Sequence, residues 1–143
     1  MARGDRMKVV INRCYGGYSL SALAISEWCK RKKKPCYFFT CNEKKGYVPV
    51  ELADITSRSY SWFAFTVPNP NDFDDSDDSI YIDERHSIER NDPDLINVVE
   101  QLGVAANGDY ADLSIVDMPD GIDYIIEDYD GMEHIAEKHR TWC

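Results

Sequence analysis

The opening of the chain constrains the fold more than any other stretch. Residues 8–12 (KVVIN) are a short β-branched run, and residues 14–18 (CYGGY) carry two adjacent glycines. Leu20, Leu23, Ala24 and Trp28 then recur at helical spacing. Such a run reads as a buried strand, and such a repeat as one face of a helix. Ser19 or Ser21 is placed to cap that helix, because a serine oxygen accepts a bond from an orphan N–H of the first turn. The cations of residues 30–34 (KRKKK) suit the negative end of a helix dipole, and Pro35 stops the helix. Residues 36–40 (CYFFT) read as a second strand. This strand–helix–strand opening predicts a parallel pair with a right-handed crossover.

The rest of the chain alternates in the same way. Residues 41–60 read as an irregular loop or a short helix, and residues 61–67 (SWFAFTV) as a strand. Residues 68–79 hold two prolines and the acidic string DFDDSDD, the composition of a solvated loop. Residues 80–82 suggest a short strand. Asn91 or Asp92 caps a second helix, Pro93 fits its first position, Leu95, Val98, Val99 and Leu102 form its apolar stripe, and Gly103 ends it. Residues 113–116 and 124–127 read as strands joined through an Asp120–Gly121 hairpin turn. Asp130–Gly131 then turns into the amphipathic MEHIAEKHR. The expected fold is α/β: one domain over residues 1–143, a mixed β-sheet flanked by helices, with residues 1–6 as a leader.

Composition narrows the function classes. The 143 residues are 43% hydrophobic, enough for one real core, and no apolar run approaches a membrane span. The formal net charge of −10 repels duplex nucleic acid and anionic membranes, so an anionic ligand must be small and met by a few local cations. The opening residues MARGDRMK lack a secretory h-region. The five cysteines, with no CxxC pair, then read as reduced cytosolic thiols, not as a zinc site.

Several residue groups could carry chemistry. The Gly16–Gly17 turn before a serine-capped helix, flanked by Arg13 and Tyr15, is either an anion cradle or a tight turn, and it has neither dinucleotide-fold nor P-loop spacing. Cys14 beside it is either a thiol nucleophile, with His86, His134 or His139 as base, or a small apolar residue. Residues 81–92 bring together Tyr81, Arg85, Arg90, Asn91 and Asp92 just ahead of a helix N-terminus. There Asn91 and Asp92 read equally well as caps. Arg140 and Trp142 near the C-terminus pair a phosphate-binding guanidinium with a stacking ring. The lysine run and the acidic loop read as solvated surfaces, and no metal or cofactor is expected.

Three stretches taken together carry a resemblance: KVVINRCYGGYSLS, IERNDPDLINVVEQLGVAANGDYADLSIVDMPDG and IIEDYDGMEHIAEKHRTW. This combination resembles a family of small phage proteins, the first type of Thoeris anti-defence protein. The likeness covers residues 7–19 and 88–142 well and residues 36–80 poorly. It implies a sponge, not an enzyme: a protein that sequesters the cyclic ADP-ribose isomers made by TIR immune sensors, in some members cyclic oligonucleotides too, without cleaving them. It also implies a homodimer or larger homo-oligomer in the host cytoplasm, with pockets at subunit interfaces. Tyr81 and Asn91 match the family's pocket aromatic and asparagine. The ligand-binding set expected is therefore Arg13, Tyr15, Gly16, Gly17, Ser19, Tyr81, Arg85, Arg90, Asn91, Asp92, Arg140 and Trp142, with no catalytic residue. Two other readings compete with it: a small nucleotide hydrolase built on Cys14, and an acidic accessory protein that binds a basic host protein.

Overall fold

Val9, Val10, Ile11 and Asn12 are four consecutive buried residues, so the strand that carries them is covered on both faces. This strand, β1 (Arg6–Asn12), is the spine of the structure, a computed structural model that describes residues 6–55, 62–74, 79–84, 87–119 and 121–137. Val10 faces the main core with the two α-helices, while Val9 and Ile11 face a second cluster with Met118. The chain is α/β, with seven strands and two helices among the described residues.

Helix α1 (Ala22–Lys32) starts where Ser21 Oγ accepts from the Ala24 N–H at 3.1 Å. It ends with Lys33 in the left-handed conformation, two residues before Pro35. Ala24, Ile25, Trp28 and Cys29 are buried, whereas Leu23, expected on the apolar stripe, is exposed. Helix α2 (Pro93–Leu102) has Asp92 as its cap and Gly103 as its stop, as the sequence pattern predicts. The two helices pack together, and their ends are tied: Trp28 Nε1 donates to Asp92 at 2.7 Å, and Lys32 Nζ reaches Asp92 and Asp94 at 3.0 Å each. A cation at one helix's C-terminus thus meets acids at the other's N-terminus, a favourable arrangement of dipoles. Burial opposes the Asp92 charge, but the bonds from Trp28, Lys32 and the Asp94 N–H outweigh it and hold the carboxyl below its usual range.

The strands pair differently from the sequence expectation. They form three small sheets, each antiparallel: β1 with β5 (Leu113–Pro119), β2 (Tyr37–Asn42) between β3 (Gly46–Pro49) and β4 (Phe63–Phe65), and β6 (Tyr124–Tyr129) with β7 (Met132–Glu137). The expected parallel β1–β2 pair is not formed. The edge of β1 away from β5 is already occupied: the Val10 N–H donates to the Arg90 carbonyl and the Asn12 N–H to Glu133, both at 2.9 Å. No single mixed sheet can then be built through β1. The expected hairpin of residues 113–116 with 124–127 is also replaced, since β5 pairs with β1 and β6 with β7. Within residues 132–137 the amphipathic segment is a strand. Asp130 and Gly131 both have positive φ (55° and 94°), the two-residue turn whose twist suits a hairpin, and alternation then buries Glu133 while exposing His134. Residues 41–60 hold the end of β2, β3 and a 3₁₀ turn at Leu52–Asp54; residues 68–79 hold a 3₁₀ turn at Pro70–Asp72, and 75–78 lie outside the described residues. Among the described residues, no helix is long and apolar enough to cross a membrane.

Candidate functional site

The diglycine turn is a packing device. A Cβ on Gly16 would collide with the backbone and Cβ of Tyr110, and one on Gly131 with the Tyr15 carbonyl and the Gly17 N–H. The turn is therefore clamped between the segment before β5 and the β6–β7 turn. Asn12, fully buried, is the hub of this clamp. Its Nδ2 donates to the carbonyls of Cys14 (2.6 Å) and Gly131 (2.7 Å), and its Oδ1 accepts from the Asp112 N–H (2.8 Å). The Cys14 thiol donates to the Tyr110 carbonyl. Among the described histidines, His134 bonds Glu127 across the last hairpin, so no described histidine serves Cys14 as a base. Sequence reading missed Asn12; the available signal was an amide closing a β-branched run, where a buried polar group must find partners.

Arg90 belongs to the same internal network. It grips Glu133 with both terminal nitrogens (2.8 and 2.9 Å), donates to the Val10 carbonyl at 3.1 Å, and lies 3.4 Å from the centre of the Tyr18 ring. The carboxylate of Glu133 is only 5% exposed. Arg90 is thus an interior clamp, and Asp92 is a helix cap and ion-pair partner; neither presents a free group to a pocket. Asn91 is exposed and lines a groove of about 420 Å³ with Met7, Pro93, Asn97, Arg6 and Lys8. The two cations there are already paired, Arg6 with Asp117 and Lys8 with Glu100. Arg13 and Tyr15 are exposed on the diglycine turn. Arg85, Arg140, Trp142, His86 and His139 lie outside the described residues.

Ser19 and Tyr81 are the two expected residues that the structure brings together. They line a cleft of about 340 Å³ at the N-terminus of α1. Part of its lining is the segment Ser19–Ala22, where the Ser21 N–H donates to the Ala106 carbonyl at 2.9 Å and Ser21 Oγ caps the Ala24 N–H. Another part is aromatic: Trp62, Phe63 and Tyr81, with Tyr110 at the mouth. Gly108 lets the loop before β5 close against Ser19, since a Cβ there would strike Ser19 Oγ; the Gly108 N–H donates to the Ser19 carbonyl at 3.0 Å. Tyr81 is fixed by an antiparallel bridge to Phe65 and by rings at 5.4 Å (Phe65) and 6.5 Å (Phe63). Burial, then Asp83, Glu84 and Tyr47, push its phenol above the ordinary value, so at neutral pH it stands as an O–H donor.

The cleft's charge is one-sided. Asp83, Glu84 and Asp109 line it, and no lysine or arginine does among the described residues. Glu84 faces the start of α1, accepting a long 3.5 Å bond from the Leu20 N–H. Stacking rings, a hydroxyl, a phenol donor and carboxylates suit a heterocycle carrying hydroxyl or amino donors. Among the described residues no group of three or more His, Cys, Asp or Glu is placed to hold a metal ion. Comparison of the chain with family models, curated proteins and solved structures finds no match.

Proposed function

We propose that this chain is a phage anti-defence protein that captures a cyclic nucleotide immune signal and holds it unaltered. The ligand class is the cyclic ADP-ribose isomers made by TIR enzymes, with cyclic oligonucleotides as related cargo, and the place of action is the host cytoplasm. The carrying observation is the aromatic-walled cleft that joins Ser19 and Tyr81 at the α1 N-terminus. The resemblance of residues 7–19 and 88–142 to such phage proteins supports the same reading.

In this reading the base stacks on the aromatic wall, a contact worth ~1–3 kcal/mol per base. The ribose hydroxyls donate to the cleft's carboxylates. The phosphates stay at the mouth, because no described cation lines the interior. There the α1 N-terminal N–H groups, Arg13 on the adjoining turn and cations of a second copy of the chain meet them. The Cys14 hydrolase reading has less support, since that thiol is bonded to a backbone carbonyl with no described histidine near it.

Titration calorimetry with a cyclic ADP-ribose isomer tests the reading. Wild type binds, and Tyr81→Ala weakens binding about tenfold or more while the protein stays folded. Asn91→Ala weakens binding only where a second copy brings the Asn91 groove against the cleft, which light scattering on the same samples checks. Absence of binding by wild type would remove the proposal.

A further inference from the structure

Tyr81 has a second side. Beyond it, on the β3–β2–β4 sheet, lies a larger cavity of about 540 Å³ that shares only Phe63 and Tyr81 with the first cleft. Its volume is in the usual range for small-molecule sites. The walls are Tyr47, Phe63, Phe65 and Tyr81, a set of rings 4.7–6.5 Å apart that meet edge-on or tilted. Behind them the buried Phe39, Phe65 and Ile80 form a rigid apolar floor.

The rim is built, and its charge has one sign. Both ends of the Asn71 carboxamide are bonded to the Tyr47 backbone, at 2.9 and 2.8 Å, which fixes the 3₁₀ turn against β3. Asn42 Oδ1 is taken by the N–H groups of Lys44 and Lys45. The charged side chains that line the cavity are the carboxylates of Glu43 and Asp74, and no lysine or arginine does among the described residues.

We propose that this cavity is a second ligand site, distinct from the nucleotide cleft, that takes a planar aromatic amine or ring cation. Electron-rich ring faces attract a cation, and the carboxylate rim adds to that attraction. An anionic ring of the same shape meets the rings but is repelled by the rim. The inference does not depend on nucleotide capture, because Glu43 and Tyr47 line this cavity and not the first one.

The test uses the full chain and two probes that share an indole ring: tryptamine, with an ammonium, and indole-3-acetate, with a carboxylate. Amide NMR shifts are followed for each. The expected shifts fall on Tyr47, Phe63 and Phe65, with tryptamine bound at least about fivefold more tightly. Glu43→Gln, an exposed change that leaves the fold intact, cuts that preference about twofold or more, and so does raising salt from about 20 to about 300 mM. Equal or reversed preference, no binding of either probe, or shifts confined to residues outside this cavity would overturn the proposal. Glu43→Gln, which lies outside the first cleft, leaves binding of a cyclic ADP-ribose isomer unchanged while it lowers the tryptamine preference, and this separates the two sites.

Discussion

The junction around Asn12 and Arg90 and the cleft around Tyr81 contain nearly the same residue types, an amide or hydroxyl, rings and charges beside glycine-permitted turns. They do opposite things. In the junction Arg90 is taken up by Glu133, Tyr18 and Val10, and Asn12 by the backbone of Cys14, Gly131 and Asp112 and by the Glu133 carboxylate. In the cleft the rings and carboxylates line open space. Residue type alone therefore does not separate a scaffold from a site; burial does. A cation beside a buried carboxylate becomes structure, and a ring that stays partly exposed, as Tyr81 does, remains available.

The largest expected effect breaks the junction. Glu133→Ala leaves the Arg90 guanidinium, 19% exposed, without its partner, and stability falls by about 3–5 kcal/mol, read as a drop in the denaturant midpoint. The double variant with Arg90→Ala recovers part of that loss, because the uncompensated charge is gone; a purely additive result would deny the coupling. Next, Gly16→Ala forces the turn off Tyr110 and costs about 1–3 kcal/mol, with any loss of ligand binding following the loss of folded protein. Tyr81→Ala does the reverse: capture weakens about tenfold or more, and the melting temperature moves much less than in the junction variants.

These contrasts explain what the sequence made legible. Helix α2 could be read to within one residue because its signals are local: the pattern offers Asn91 or Asp92 as the cap, Asp92 takes it, Pro93 starts the helix and Gly103 stops it. Helix α1 was legible for the same reason through Ser21 and the lysine end. Strand partners were not. The choice of β5 over β2 as neighbour of β1 depends on Glu133, which meets the Asn12 N–H from 121 residues away. That distance also hid the meaning of Arg90, which without Glu133 looks like a free cation, and of residues 132–137, whose alternation only makes sense once Glu133 turns inward. Of the expected site, Ser19 and Tyr81 converge because Gly108 and β4 bring their segments together, a juxtaposition no local pattern encodes.

The smallest expected effect is a pH dependence at the helix tie. The Asp92 carboxyl is held below its usual value in the folded state, so its contribution to stability is fully present above the unfolded value, near 3.8, and is lost as pH falls through the depressed folded value. Trp28→Phe removes one of the bonds that lower it, so the acid limb of the stability profile shifts towards higher pH. An unchanged limb would show that the tie contributes no proton linkage.

The central claim is that the Tyr81 cleft grips a cyclic nucleotide and lets it go unaltered. Mass spectrometry of ligand released by heat denaturation, after stoichiometric loading with a cyclic ADP-ribose isomer, tests it most directly. The account predicts recovery of the intact cyclic mass from wild type, and far less ligand carried by Tyr81→Ala. A linearised or hydrolysed product, or equal loading of the two proteins, would contradict it.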